Sequence, residues 1–201
     1  SDTGAYTQLS GALKRTSAKL TKICNDLRLL SSGPRCGLNE INLPQMQPGS
    51  SIMPGKVNPV IPEVVNQTGF LVIGLDLTVT LAASAGQLQL NVMEPVITLA
   101  LFTSLRTIEH AIDSLRVNCI DGITANVERC REMVLGSLGI VTALKPMLGY
   151  KQCAEIAREG YTSGKSLHDI VVKERKLLTQ EKWDEVFAFD NLINPKFEQG
   201  A

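Results

Sequence analysis

The stretch PVIPEVVNQTGFLVIGLDLTVTLAASA, residues 59–85 of a 201-residue chain, forces the choice of fold. Val72, Ile73, Val79 and the threonines favour a strand by local propensity, and Gly69 and Gly74 weaken a helix. Yet the run is apolar nearly all round, as expected of a helix buried among other helices. Its most apolar part, residues 68–85, is nearly long enough to span a bilayer. Asp76, several threonines and two glycines lie inside it, and flanking basic residues are lacking. These favour the core helix of a large bundle over a membrane span.

Outward from this helix the periodicity predicts more of the same. Leu9, Ala12, Leu13, Leu20, Ile23, Leu27 and Leu30 recur at three- and four-residue steps, so residues 6–30 read as a long amphipathic helix. Ser31-Ser32-Gly33-Pro34 ends it. Residues 35–59 form a long connection without clear periodicity, and a connection of that length is usually functional or mobile. A third long helix is expected over 88–119, kinked or started afresh at Pro95. Short helices are expected over 126–138, 152–162, 167–174 and 180–187, separated by Gly139, Pro146, Gly149 and Gly164. The expectation is an all-α protein: residues 1–120 belong to a long-helix bundle carrying the 47–59 loop, and residues 121–201 form a small helical domain.

Bulk properties exclude several classes. Lysine plus arginine and aspartate plus glutamate stand at 20 each, so the net charge is zero. Nucleic acid or an acidic membrane surface as main partner calls for a basic excess. The five cysteines, Cys24, Cys36, Cys119, Cys130 and Cys153, show no metal or redox spacing and read as reduced thiols of a cytoplasmic protein. His110 and His168 have no ligand partners nearby in sequence, and Asp113, Asp121 and Glu128 lack metal-site spacing. The chain opens without the basic-then-apolar pattern of a signal peptide.

The segment leading into the apolar helix carries the chemistry. Gly49-Ser50-Ser51-Ile52-Met53-Pro54-Gly55-Lys56-Val57-Asn58-Pro59 packs two hydroxyls, a cation, an amide and four backbone breakers into one loop. Such a loop does not fill a core, and polar loops on rigid scaffolds concentrate binding and catalysis. Asn58-Pro59 reads as an N-cap followed by proline at the first helical position. A helix start favours an anion, and Lys56 adds a full positive charge, so a carboxylate or phosphate site beside a hydroxyl is expected. A nucleotide-binding loop does not fit. Five residues separate Gly49 from Gly55, and Val57 stands where a metal-binding hydroxyl belongs. Taken singly, Ser50 is a turn-forming hydroxyl, Lys56 a solvated cation and Asn58 a helix cap.

Taken together, Gly49-Ser50-Ser51-x-Met53-Pro54-x-Lys56-x-Asn58-Pro59 resembles the signature of the aspartase/fumarase superfamily, whose members cleave C–N or C–O bonds and usually release fumarate. The resemblance runs over essentially the whole chain, which looks like the C-terminal part of a usual subunit and covers less than half of it. Residues 32–37 are typical of the aspartase and fumarase branches alike, whereas residues 38–44, 62–67 and 86–96 are similar to segments of the aspartate ammonia-lyase branch. Fumarases usually carry Thr-Gln-Cys-Glu where this chain has Val60-Ile61-Pro62-Glu63, and Gly-Asn-Phe-Glu-Leu-Asn over residues 86–91. A class II fumarase remains the alternative, as does a non-catalytic helical oligomerisation module.

The resemblance implies reversible deamination of L-aspartate to fumarate and ammonia, without a cofactor, in a homotetramer whose active sites are shared between subunits. It assigns Ser50 as the base that removes the Cβ proton, and Ser51 as a donor to the enediolate. Lys56 and Asn58 become ligands of a substrate carboxylate, and Met53 stands with them among the substrate-binding residues. Glu63 matches a family glutamate that pairs with a histidine from another subunit. Gly49 and Gly55 are expected to act as hinges that let the loop close.

Overall fold

Three long helices carry the first part of the chain. In the computed structural model, which describes residues 2–49, 53 and 55–194, α1 spans Gly4–Leu30, α2 spans Val60–Ser84 and α3 spans Glu94–Asn118. The apolar stretch is therefore helical, because packing against α1 and α3 overrides its β propensity. Buried positions repeat every seven residues. Thr3, Ser10, Ser17 and Cys24 line one side of α1 and its approach. Val65, Val72 and Val79 do so on α2, with Pro62, Gly69 and Asp76 beside them. On α3 the series are Ile97, Ser104, Ala111 and Leu101, Ile108, Leu115. A seven-residue repeat keeps one seam facing its neighbours over many turns, as in a coiled coil.

This seam corrects the expected face of α1. Leu9 and Ile23 are exposed, and Leu13, Leu20 and Leu27 only flank the core. Small side chains occupy the seam instead, which lets the backbones of α1 and α2 approach closely. The apolar character of α2 is likewise only partly used within this chain. One stripe is buried, while Phe70 (61% exposed), Leu77 (59%) and Leu81 (62%) face outward, as do Leu99 (66%) and Phe102 (68%) on α3.

A single charged group interrupts the α2 seam. Asp76 accepts hydrogen bonds from Ser10 Oγ and Lys14 Nζ, each at 2.8 Å. Burial alone would raise its carboxyl. The Lys14 and Ser10 hydrogen bonds and the Lys14 charge together outweigh that, and hold it below the usual value. Among the described residues, the buried hydroxyls of Ser17 and Thr21 on α1 have no hydrogen-bond partner.

The restart expected near Pro95 is present, whereas the long connection holds an element outside the sequence expectation. The third helix starts afresh at Glu94 with Pro95 in its first turn, and residues 87–90 form a tight turn closed by paired Gln87–Leu90 hydrogen bonds. The long connection also holds a strand. β1 (Ile41–Asn42) pairs antiparallel with β2 (Thr124–Ala125), Ile41 opposite Ala125. The Asn42 amide donates to Thr124 Oγ1 at 3.2 Å and to Asn126 Oδ1 at 2.7 Å, which pins the ribbon.

The chain divides into two compact units, Ser1–Asn126 and Val127–Ala201. In the second, α4 (Val127–Gly136), a 3-10 helix (Leu138–Leu144), α5 (Lys145–Ser163), a π-helical turn (Asp169–Glu174), α6 (Gln180–Val186) and α7 (Phe189–Ile193) follow in order. Leu144, Cys153, Ile156, Leu167, Ile170, Val171, Trp183 and Phe187 make its core. Trp183 and Phe187 stack with ring centroids 4.1 Å apart. None of the five cysteines, all among the described residues, is in a disulfide. Burial, reinforced by the neighbouring Cys119 thiol and opposed by Arg28, pushes the Cys24 thiol up to about 11.

Candidate functional site

The loop ahead of α2 is drawn together at its neck. The Asn58 amide donates to the Gly49 carbonyl at 2.8 Å. A Cβ on Gly49 would lie 1.9 Å from the Lys56 carbonyl oxygen, so only glycine fits there. Lys56 N–H donates to the Met53 carbonyl at 3.2 Å, and Gly55 supplies a left-handed residue at φ 79°. Gly49, Lys56 and Asn58 therefore meet where the chain enters and leaves the loop. The Lys56 side chain is exposed, and Met53 is 50% exposed. Ser50 and Ser51, expected as base and donor, lie outside the described residues.

The start of α2 departs from its expected form. Helix geometry begins at Val60 with Pro59 as the capping residue and no side-chain cap. Asn58 stands one residue before the capping position, and its Nδ2 donates to the Gly49 carbonyl. Pro59 and Pro62 carry no N–H. The Val60 N–H is taken by the Asn58 carbonyl at 2.9 Å, and that of Glu63 by the Pro59 carbonyl at 3.1 Å. The first turn thus offers an anion few donors, and the positive character of the site falls to the Lys56 side chain.

Glu63 sits on this first turn, its side chain 40% exposed, with Arg28 Nη2 at 4.0 Å from Oε1. The last turn of α1 and the first of α2 therefore bring Glu63 near three polar residues to which the sequence reading gave no part in the site: Asn25, Arg28 and Asn66. Their spacing offers a signal, since 25 with 28 and 63 with 66 are one-turn neighbours. Which helix faces meet is a tertiary fact that spacing does not contain. The histidines stand elsewhere. His110 is exposed on α3. His168 lies in the second unit, 2.8 Å from Gln180 Oε1 and edge-on to Trp183. Among the described residues no group of three or more His, Cys, Asp or Glu side chains is arranged to hold a metal ion.

The chain is similar to known proteins along most of its length. A family model described as Lyase matches residues 1–74, and one described as Fumarase C C-terminus matches residues 140–194. The chain is 61% identical over 193 residues to an aspartate ammonia-lyase of Helicobacter pylori, covering 96% of this chain and 41% of that protein. Among solved structures, a fumarate lyase:delta crystallin from Brucella melitensis superimposes with TM-score 0.87 at 52% identity, over 92% of this chain and 40% of that one. A class II fumarase from Schistosoma mansoni gives TM-score 0.80 at 39% identity, over 90% and 38%. The chain thus spans about two fifths of the length of the relatives it matches. In its serine-loop signature, its helical architecture and these matches, the chain is similar to the aspartate ammonia-lyases and fumarate lyases over about two fifths of their length.

Proposed function

We propose that this chain supplies the serine-loop part of an aspartate ammonia-lyase, which interconverts L-aspartate with fumarate and ammonia. The observation that carries the reading is 61% identity to an aspartate ammonia-lyase across 96% of the chain, against 39% to a class II fumarase. Ser50 acts as the base. A serine hydroxyl is a weak base unless its alkoxide is stabilised, and Lys56 and nearby backbone N–H groups are the available stabilisers. The alkoxide takes the Cβ proton, and the electron pair is held on the β-carboxylate as an enediolate, which Ser51 helps to stabilise. Lys56 and Asn58 hold a substrate carboxylate, with Met53 beside it. Asn58 has a second task, since its hydrogen bond to Gly49 sets the loop neck. Collapse of the enediolate expels ammonia and leaves fumarate.

The exposed apolar faces of α2 and α3 support an assembly of several copies, read here as a homotetramer with sites shared between subunits. In that assembly Glu63 pairs with a histidine of another subunit, and the protein works in the cytoplasm. The test follows fumarate absorbance as the complete gene product is given L-aspartate and, separately, L-malate. Fumarate from aspartate supports the reading. Fumarate from malate alone replaces it with a fumarase.

A further inference from the structure

The Glu63 carboxylate is approached from a second helix. Arg28, in the last turn of α1, places Nη2 4.0 Å from Glu63 Oε1. Arg28 is itself restrained. Its Nη1 donates to Asn25 Oδ1 at 3.3 Å. Asn66, one turn beyond Glu63 on α2, is 4% exposed. In one orientation of this amide Nδ2 donates to Asn25 Oδ1 at 2.8 Å; turned over, Nδ2 donates to the Thr21 carbonyl at 3.3 Å and Oδ1 accepts from Arg28 Nη1 at 3.2 Å. In the second orientation the guanidinium donates to a buried amide one turn from Glu63 on the same helix. Guanidinium stays charged at any working pH, and its planar fork keeps a fixed orientation when held from one side.

We propose that Arg28, anchored by Asn66, is a positioning residue for the Glu63 carboxylate. Its charge, 4.0 Å from Oε1, draws that oxygen toward α1 and leaves Oε2 for the group that Glu63 serves. The proposal rests on the reading above, in which Glu63 belongs to the active site. Arg28 also suits the C-terminal end of α1 as a cation near a helix terminus, a purely structural use. The test must separate the two.

The experiment is a double-mutant cycle on the complete gene product, with kcat and KM for L-aspartate and thermal unfolding measured for each variant. Arg28→Gln is expected to lower kcat about fivefold, in keeping with a half-exposed pair, with KM nearly unchanged. Arg28→Lys, which keeps the charge, recovers most of that loss. Asn66→Ala gives a smaller loss of the same kind. In a Glu63→Gln background neither Arg28→Gln nor Asn66→Ala lowers kcat further. A fivefold loss that persists in the Glu63→Gln background assigns Arg28 to structure alone and overturns the proposal. So does a wild-type kcat for Arg28→Gln. If Glu63→Gln itself keeps full turnover, the active-site reading of Glu63 fails first, a result separate from the other two.

Discussion

Gly49 and Gly55 are glycines for different physical reasons, and only one is a matter of backbone freedom. Gly55 occupies a left-handed conformation at φ 79°, whereas Gly49 lies against the Lys56 carbonyl with no room for a Cβ. The expected hinge role treated them alike. Gly49→Ala is therefore predicted to push Lys56 and Asn58 apart at the neck. We expect kcat/KM for L-aspartate to fall about tenfold or more while the unfolding temperature moves little. Steady-state kinetics with a thermal melt checks both. The loop was legible as chemistry because its residue types are costly to place together without a function. Its geometry was not, since nothing in the sequence shows that the Asn58 amide reaches back to the Gly49 carbonyl.

At the scale of the helices, length and position were readable and facing was not. The long apolar runs predicted α1, α2 and α3, but α1 turns Ser10, Ser17 and Cys24 inward rather than its leucines. Small residues allow close helix approach, and a hydrophobicity count cannot see that advantage. The two-residue ribbon was also invisible, because β1 and β2 are too short to show alternation.

The same seam makes two stability predictions of opposite sign. Asp76→Ala removes a buried acceptor of two hydrogen bonds and should destabilise by about 2 kcal/mol at neutral pH. Because the folded carboxyl is held below its unfolded value near 3.9, this contribution is full above that pH. It is lost as pH falls through the folded value. Urea unfolding of both proteins across this range should show the gap close in acid. Ser17→Ala removes a buried hydroxyl that lacks a partner among the described residues, and should leave stability unchanged or raise it by about 1 kcal/mol. A clear loss in the same urea titration would show that Ser17 has a partner in the assembly.

For the whole molecule, the outward faces of α2 and α3 set the strongest requirement. Phe70, Leu77, Leu81, Leu99 and Phe102 are large, apolar and more than half exposed on the single chain. Leu77→Arg is predicted to reduce the assembled species in sedimentation velocity and to lower activity in proportion. An unchanged sedimentation coefficient would mean that this face is not the contact between copies.

The central claim is that the 49–59 loop belongs to an aspartate lyase that uses Ser50 as its base. The direct measurement is fumarate release from L-aspartate by the complete gene product, wild type and Ser50→Ala side by side, with assembly verified for both. The account predicts steady fumarate release by the wild type and turnover lower by about a thousandfold or more in the variant. Near-equal turnover in the two, or release from L-malate alone, would contradict it.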